Sequence, residues 1–397
     1  MQRSVYLDNA ATTMVDPEVI KAMEPYFDRH YGNPSSIHQL GREAREATEA
    51  SRDRIAASIN SRADEIVFTS GGTEGNNLAL KGVAFANRKK GKHIITTKIE
   101  HKCILNSCEW LENEGFKITY LDVNREGFVD LEQLENSITK ETVLVSIIHG
   151  QNEIGTIQDL QTIGKICKEH DVWLHTDACQ SYTKTELDVK KYNIALATLN
   201  AHKLHGPKGV GALYIREDVE FVPWQHGGGQ ESKRRGGTEN VPGIVGFAKA
   251  VELASNKRHI ERMTKLRDKL IEGITKIEDV SLNGPRGSRR LCNNANFSFF
   301  GVEGEGLGMA LEQEGVLTST GSACSSRSLE KSHVLKAIGL SDAEINSSTR
   351  MSISRFTTEE EIDYAIEKTE YAVKKLRAIS PIKKAKEVLK NVFGKSA

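Results

Sequence analysis

Short β-branched runs alternate with longer helical patterns over residues 65–215, and that alternation narrows the fold more than any other feature of the chain. Runs at 65–68, 93–97, 117–121, 143–148, 172–175 and 211–215 have strand length, and 194–199 is a further apolar run. The segments 77–87, 105–114, 131–137 and 160–170 keep helical spacing. The pattern predicts an α/β fold: a mostly parallel sheet flanked by helices. Ligands in such folds gather at the C-terminal ends of strands. Residues just after each run are therefore the first candidates for chemistry.

Beyond the alternation, 225–243 is Gly-rich and charged and reads as a loop, followed by a helical stretch over 243–277. From about 290 the character changes to a strand at 296–299, a helix at 305–314, a polar loop at 318–328 and another strand. This predicts a smaller C-terminal α+β domain. Thr358-Glu359-Glu360-Glu361 has the form of a capping box and opens a closing helix. The tail after Pro381 is basic and amphipathic.

With 38% apolar and 27% charged residues, the 397-residue chain reads as globular. Lys plus Arg and Asp plus Glu are 54 each, which gives no support for nucleic-acid binding by bulk charge. No apolar run approaches the roughly 20 residues of a membrane span. The start of the chain lacks a signal-peptide pattern, so a cytoplasmic location is expected. Six cysteines are scattered without a Cys-x-x-Cys pair and are expected to be reduced. Cys103 and Cys108 lie near His101, but the spacing fits no zinc pattern, and no metal is expected.

Lys203 follows the run 194–199 and sits beside the turn Gly206-Pro207. A buried ammonium is costly unless paired or deprotonated, and imine chemistry is the common reason to place one there. The run at 172–175 leads to Asp177. A lysine plus such a carboxylate is what pyridoxal phosphate needs: an imine partner and a counter-ion for its ring nitrogen. Gly71-Gly72-Thr73-Glu74 opens a helix after a strand, which suits an anion such as phosphate. It matches neither G-x-G-x-x-G nor a Walker loop. His101 and Asn152 also follow strands. Singly, each of these residues has a plainer reading as a turn former, a cap or a structural histidine. Their shared position after strands favours one cleft. Cys324 sits in the small, polar run Thr318–Ser328, and Arg327 nearby favours its thiolate.

Several motifs occur in order: Tyr6-Leu7-Asp8-Asn9-Ala10-Ala11-Thr12-Thr13, Tyr31-Gly32-Asn33-Pro34, Gly72-Thr73-Glu74, Asn152-Glu153-Ile154-Gly155, His202-Lys203, Gly236-Gly237-Thr238-Glu239-Asn240 and Gly321-Ser322-Ala323-Cys324. In this set the chain resembles the NifS-like cysteine desulfurases, which have the pyridoxal-phosphate type I fold of aspartate aminotransferase. The resemblance implies a large cofactor-binding domain over 15–260. It implies a small domain from 1–14 and 261–380 that carries the cysteine loop, and a basic tail over 381–397. Lys203 would hold pyridoxal phosphate covalently and move protons at the substrate α-carbon. Asp177 would pair with the ring nitrogen, His101 would stack on the ring as an acid/base group, and Gln180 would meet the phenolic oxygen. Thr73, Asn200 and His202 would hold the phosphate, joined by Thr238 from the partner subunit of a homodimer. Asn152 and Arg350 would hold the carboxylate of L-cysteine, and Cys324 would accept its sulfur as a persulfide. An iron–sulfur scaffold or another sulfur-acceptor protein, or tRNA thiolation, would receive it.

The chain departs from that pattern in places. Asn200 stands for a serine, Tyr182-Thr183 for a smaller pair, and Lys331 for a proline. Cys103 and Cys179 are uncommon near the cofactor. Two other readings stay open: a selenocysteine lyase or related pyridoxal-phosphate enzyme, and a non-catalytic scaffold homologue. Cys324 argues against the first, and the joint presence of Lys203, Asp177, His101, Gln180, Arg350 and Cys324 argues against the second.

Overall fold

The structure is a computed structural model that describes residues 4–320 and 331–379. The chain begins with β1 (Val5–Tyr6), α1 (Pro17–Met23), α2 (Pro25–Asp28) and the long α3 (Gln39–Ser58). There follow β2 (Ile66–Thr69), α4 (Gly72–Asn87), β3 (His93–Thr97), α5 (Lys102–Asn113), β4 (Lys117–Leu121), α6 (Leu131–Ser137), β5 (Thr142–Ser146), α7 (Leu160–Glu169), β6 (Trp173–Asp177), β7 (Leu196–Asn200) and β8 (Gly211–Ile215). The rest comprises α8 (Val241–Ala254), α9 (Lys257–Ile274), β9 (Val280–Leu282), β10 (Asn294–Phe299), α10 (Gly304–Gln313), β11 (Val316–Leu317), β12 (Ser319–Thr320), α11 (His333–Ala337), α12 (Asp342–Asn346), β13 (Ser348–Ser352) and α13 (Glu359–Ile379).

Seven strands form one sheet in the order β2-β8-β7-β6-β5-β3-β4. β4, β3, β5, β6 and β7 pair in parallel, and β8 runs against both of its neighbours. Successive side chains of a strand point to opposite faces. Ile94, Leu144 and Leu196 accordingly pack under α4 and α5, while Ile95, Val145 and Ala197 join the core with α3, α7 and α8. Cover on both faces explains why these strands read as continuous apolar runs.

A second sheet, β12-β13-β10-β9, is antiparallel. Its core joins Leu266, Phe297, Ile362 and Val373 to Val5 and Leu7 from the start of the chain. β1 pairs in parallel with β11, so the first residues return to the C-terminal region.

Three expectations change. The helical stretch 243–277 is two helices, because the Asn256 side chain accepts from the Arg258 N–H and starts α9 anew. The loop 225–243 contains a short 3-10 turn at Gln230–Lys233. The polar loop 318–328 starts as strand β12. The capping box is present: Thr358 N–H donates to Glu361 Oε2 at 2.8 Å, and Glu361 N–H donates to Thr358 Oγ1 at 3.2 Å.

Candidate active site

Asp177 ends β6 and Asn200 ends β7, so the strand ends bring both to one cleft. Asp177 is buried. Its Oδ2 accepts from Asn76 Nδ2 at 2.7 Å, and its Oδ1 accepts from the Cys179 N–H at 2.9 Å. Below it His175 lies between the hydroxyls of Ser146 (2.8 Å) and Thr198 (3.0 Å), and burial holds its pKa down at about 4. His101 caps α5, with Nδ1 accepting from the Cys103 N–H at 3.2 Å. Burial lowers its pKa, and the charges of Asp177 and Lys203 both bear on it.

Next to Asp177 the N-terminus of α4 offers N–H groups with no side-chain cap. Gly71 precedes it at φ +151°, a region that favours glycine. A Cβ on Gly72 would stand 2.6 Å from Cys179 Sγ, so the turn packs directly on the second residue past the β6 end. A cavity of about 370 Å³ opens there, lined by Thr12, Gly72, Thr73, His202 and Lys208 among others. Asn200 is buried, and its Oδ1 has no hydrogen-bond partner among the described residues. His202 Nδ1 lies 3.2 Å from Thr12 Oγ1. Burial, then Lys203, Lys208 and Lys184, depress the His202 pKa to about 4. Free helix N–H groups, a hydroxyl and surrounding lysines fit a phosphate group.

The segment 8–13 closes the other side. Lys203 Nζ donates to the carbonyls of Ala10 and Ala11, and Gln180 Nε2 donates to Ala10 as well, at 2.8 Å. Buried Lys184 donates to the carbonyls of Gln180 (2.9 Å) and Lys203 (3.1 Å), tying the two loops together. Burial lowers its pKa to about 8.

Arg350 comes from β13 of the small sheet and is buried. Its Nη2 donates to Asp8 Oδ1 at 2.9 Å and its Nη1 to the Asn152 carbonyl at 3.1 Å, while Nε has no partner among the described residues. Ser319 of β12 pairs with Arg350 in register. Ser332 donates to Glu153 Oε2 at 2.6 Å. Both flanks of 321–330 are thus fixed beside Asn152 and Arg350.

Cys324, Arg327 and the tail 381–397 lie outside the described residues. Thr238 is exposed on the Gly-rich loop and does not line the cavity at α4. Asn76, Asp8 and Lys184 are site residues that the sequence reading gave no role. The Asn76-Asn77 pair carries no signal to say which faces the cleft; the helix turns Asn76 inward.

The chain matches the Aminotransferase class-V family over residues 5–365. It is 53% identical over 386 residues to a protein of Dictyoglomus turgidum named cysteine desulfurase IscS, covering 96% of this chain and 98% of that one. A solved structure of a NifS-like protein superposes with TM-score 0.87 at 38% identity, covering 94% of this chain and 100% of the other. A structure of SspA in complex with cysteine gives TM-score 0.80 at 39% identity, covering 89% and 100%. The selenocysteine lyase reading is not favoured by these relatives. The chain belongs to the pyridoxal-phosphate-dependent cysteine desulfurases of the class-V aminotransferase family.

Proposed function

We propose that the cleft takes sulfur from L-cysteine onto Cys324 as a persulfide, releases L-alanine, and passes the sulfur to an acceptor protein. The observation that carries this reading is the place of Arg350. It meets Asn152 at the cleft and sits in register with Ser319, on the strand that leads to the Cys324 segment.

Pyridoxal phosphate, when bound, supplies an electron sink for charge developing on the substrate. Thr73, Asn200, His202 and the N–H groups of α4 hold its phosphate, together with the partner subunit's Thr238 in a homodimer. Asp177 would serve as counter-ion for the ring nitrogen and Gln180 would meet the phenolic oxygen. Lys203 would hold the cofactor and move the α-proton. His101 would lie against the ring and serve proton transfer. Arg350, with its planar fork, and Asn152 orient the substrate carboxylate. The Cys324 thiolate attacks the substrate sulfur. An S–S bond forms, the Cβ–S bond breaks with its electron pair left on carbon, and carbon takes a proton to give L-alanine.

Residues 15–260 and the pair 1–14 with 261–380 are read as two domains. The packing of Val5 and Leu7 with Phe297 and Ile362 supports this. Cytoplasmic work with an iron–sulfur scaffold or a tRNA-thiolation acceptor completes the proposal. Free thiols at the described cysteines support a reducing compartment. Among the described residues, no helix is long and apolar enough to cross a membrane.

The test is sulfide and alanine release from L-cysteine, with pyridoxal phosphate and a reductant, for wild type and Cys324→Ala. Activity in the wild type alone supports the persulfide route. Activity kept by the variant overturns it.

A further inference from the structure

A chain of buried and half-buried side chains joins Asp177 to His101. Asn76 Nδ2 donates to Asp177 Oδ2 at 2.7 Å and to Cys103 Sγ at 3.1 Å. Cys103 Sγ lies 3.0 Å from His101 Nδ1. The donor directions close in one way. A carboxylate only accepts, so Asn76 must turn its NH₂ group to Asp177. Its second N–H then goes to sulfur, the Thr73 hydroxyl donates to the same sulfur, and the S–H is left to point at Nδ1. Burial pushes the Cys103 thiol up to about 12, so the proton stays on sulfur. Nδ1 also receives the Cys103 backbone N–H at 3.2 Å. With two donors aimed at it, Nδ1 has no place for a proton, and the neutral ring carries its own on Nε2.

We infer that Cys103 is a positioning residue: its thiol and its backbone N–H together hold His101 as the Nε2–H tautomer. This rests on the reading of His101 as a cleft residue, and it sharpens that role. His101 is a standing hydrogen-bond donor at Nε2 rather than a base, and the α-proton falls to Lys203. The charged groups that bear on the ring are Asp177 at the end of β6, Lys203 after β7 and Lys102 on α5 itself. Glu100, the preceding residue, turns away to Thr97 Oγ1 and the Ile148 N–H.

Ring-nitrogen NMR of the histidine-labelled holoenzyme reads the tautomer directly. The His101 signals are assigned by their loss in His101→Gln. The expected spectrum around neutral pH shows a protonated Nε2 and a bare Nδ1. Cys103→Ala keeps only the backbone donor and strands an Asn76 N–H. It should move the signals toward a tautomer average and raise the titration midpoint by roughly one pH unit. Cys103→Ser, whose hydroxyl can replace the S–H, should restore both. A bare Nε2 in the wild type overturns the inference, and so does a Cys103→Ala spectrum identical to wild type. The wild-type spectrum decides even where Cys103→Ala does not fold. Sulfide release from the same samples is a separate readout: no turnover with the tautomer intact sinks the desulfurase reading and leaves this one standing.

Discussion

Asp177 and Arg350 are the two buried charges that bracket the cleft, and they are finished to different degrees. Both Asp177 oxygens accept from fixed donors, Asn76 Nδ2 and the Cys179 N–H. Arg350 commits one nitrogen to Asp8 and one to the Asn152 carbonyl, and its buried Nε has no partner among the described residues. A buried donor without a partner costs about 1–3 kcal/mol, so its persistence needs a reason. The difference teaches that Asp177 is a preset charge for a resident group, whereas Arg350 keeps a donor in reserve for a ligand that comes and goes.

If that division holds, damage at the strand ends removes the cofactor chemistry outright. Lys203→Ala should lower kcat by about 1,000-fold or more. It should also abolish the visible absorbance of covalently held cofactor, while folding measured by circular dichroism stays intact. Near-normal turnover would break the comparison at once. Arg350→Lys keeps the charge and loses the fork. It should weaken L-cysteine binding by about 2 kcal/mol, or roughly 30-fold in KM, with cofactor absorbance unchanged. A loss of bound cofactor instead would move Arg350 into the first group.

Acid should act on the strand-end side. Burial holds His149 and His175 at about 4, below the ordinary histidine value near ~6.5. As pH falls through ~6.5 the unfolded chain takes protons that the folded chain refuses, so stability is full above that range and is lost down to ~4. Each residue removes about 2 kcal/mol by pH 5. Denaturant midpoints at pH 7 and pH 5 carry these shares together with the like-signed ones of His202 and His205 and the opposing ones of buried Glu100 and Glu153, whose carboxyls burial raises to about 8 and 7. His175→Gln should shrink the gap between them by one such share. An unchanged gap would mean that His175 is protonated in the folded state.

The strand-end half was the more legible in the sequence. Continuous apolar runs mark β5, β7 and β8 because helices cover both faces, and polar residues at the ends of those runs stand out against them. Strand direction is not encoded in such runs, so nothing in 211–215 announced that β8 runs against its neighbours. The Arg350 corner depends on contacts far apart in the chain. Asp8 meets Arg350 across 342 positions, and no local pattern reports such a pair. The resemblance supplied Arg350; the periodicity did not. Ser319–Thr320 read as loop because its residues are polar, yet pairing with β13 makes it a strand. Tertiary pairing overrode local preference there.

The smallest expected effect tests a strand-end atom that breaks the rule of full pairing. Among the described residues Asn200 Oδ1 is buried without a partner beside the phosphate cavity, where the resemblance places a serine. A bare carbonyl oxygen near an anion opposes binding, while the amide N–H₂ of the same side chain favours it. A serine hydroxyl can donate without presenting an orphan acceptor. Asn200→Ser should therefore tighten cofactor retention by about 1 kcal/mol, close to five-fold, in equilibrium dialysis followed by the cofactor's absorbance. KM for L-cysteine should not move, since Arg350 and Asn152 are untouched. Weaker retention in Asn200→Ser would show that the amide is the better phosphate donor. It would also make the unpartnered Oδ1 a cost this chain carries for that donor, and Asn200 would then resemble Arg350 more than Asp177.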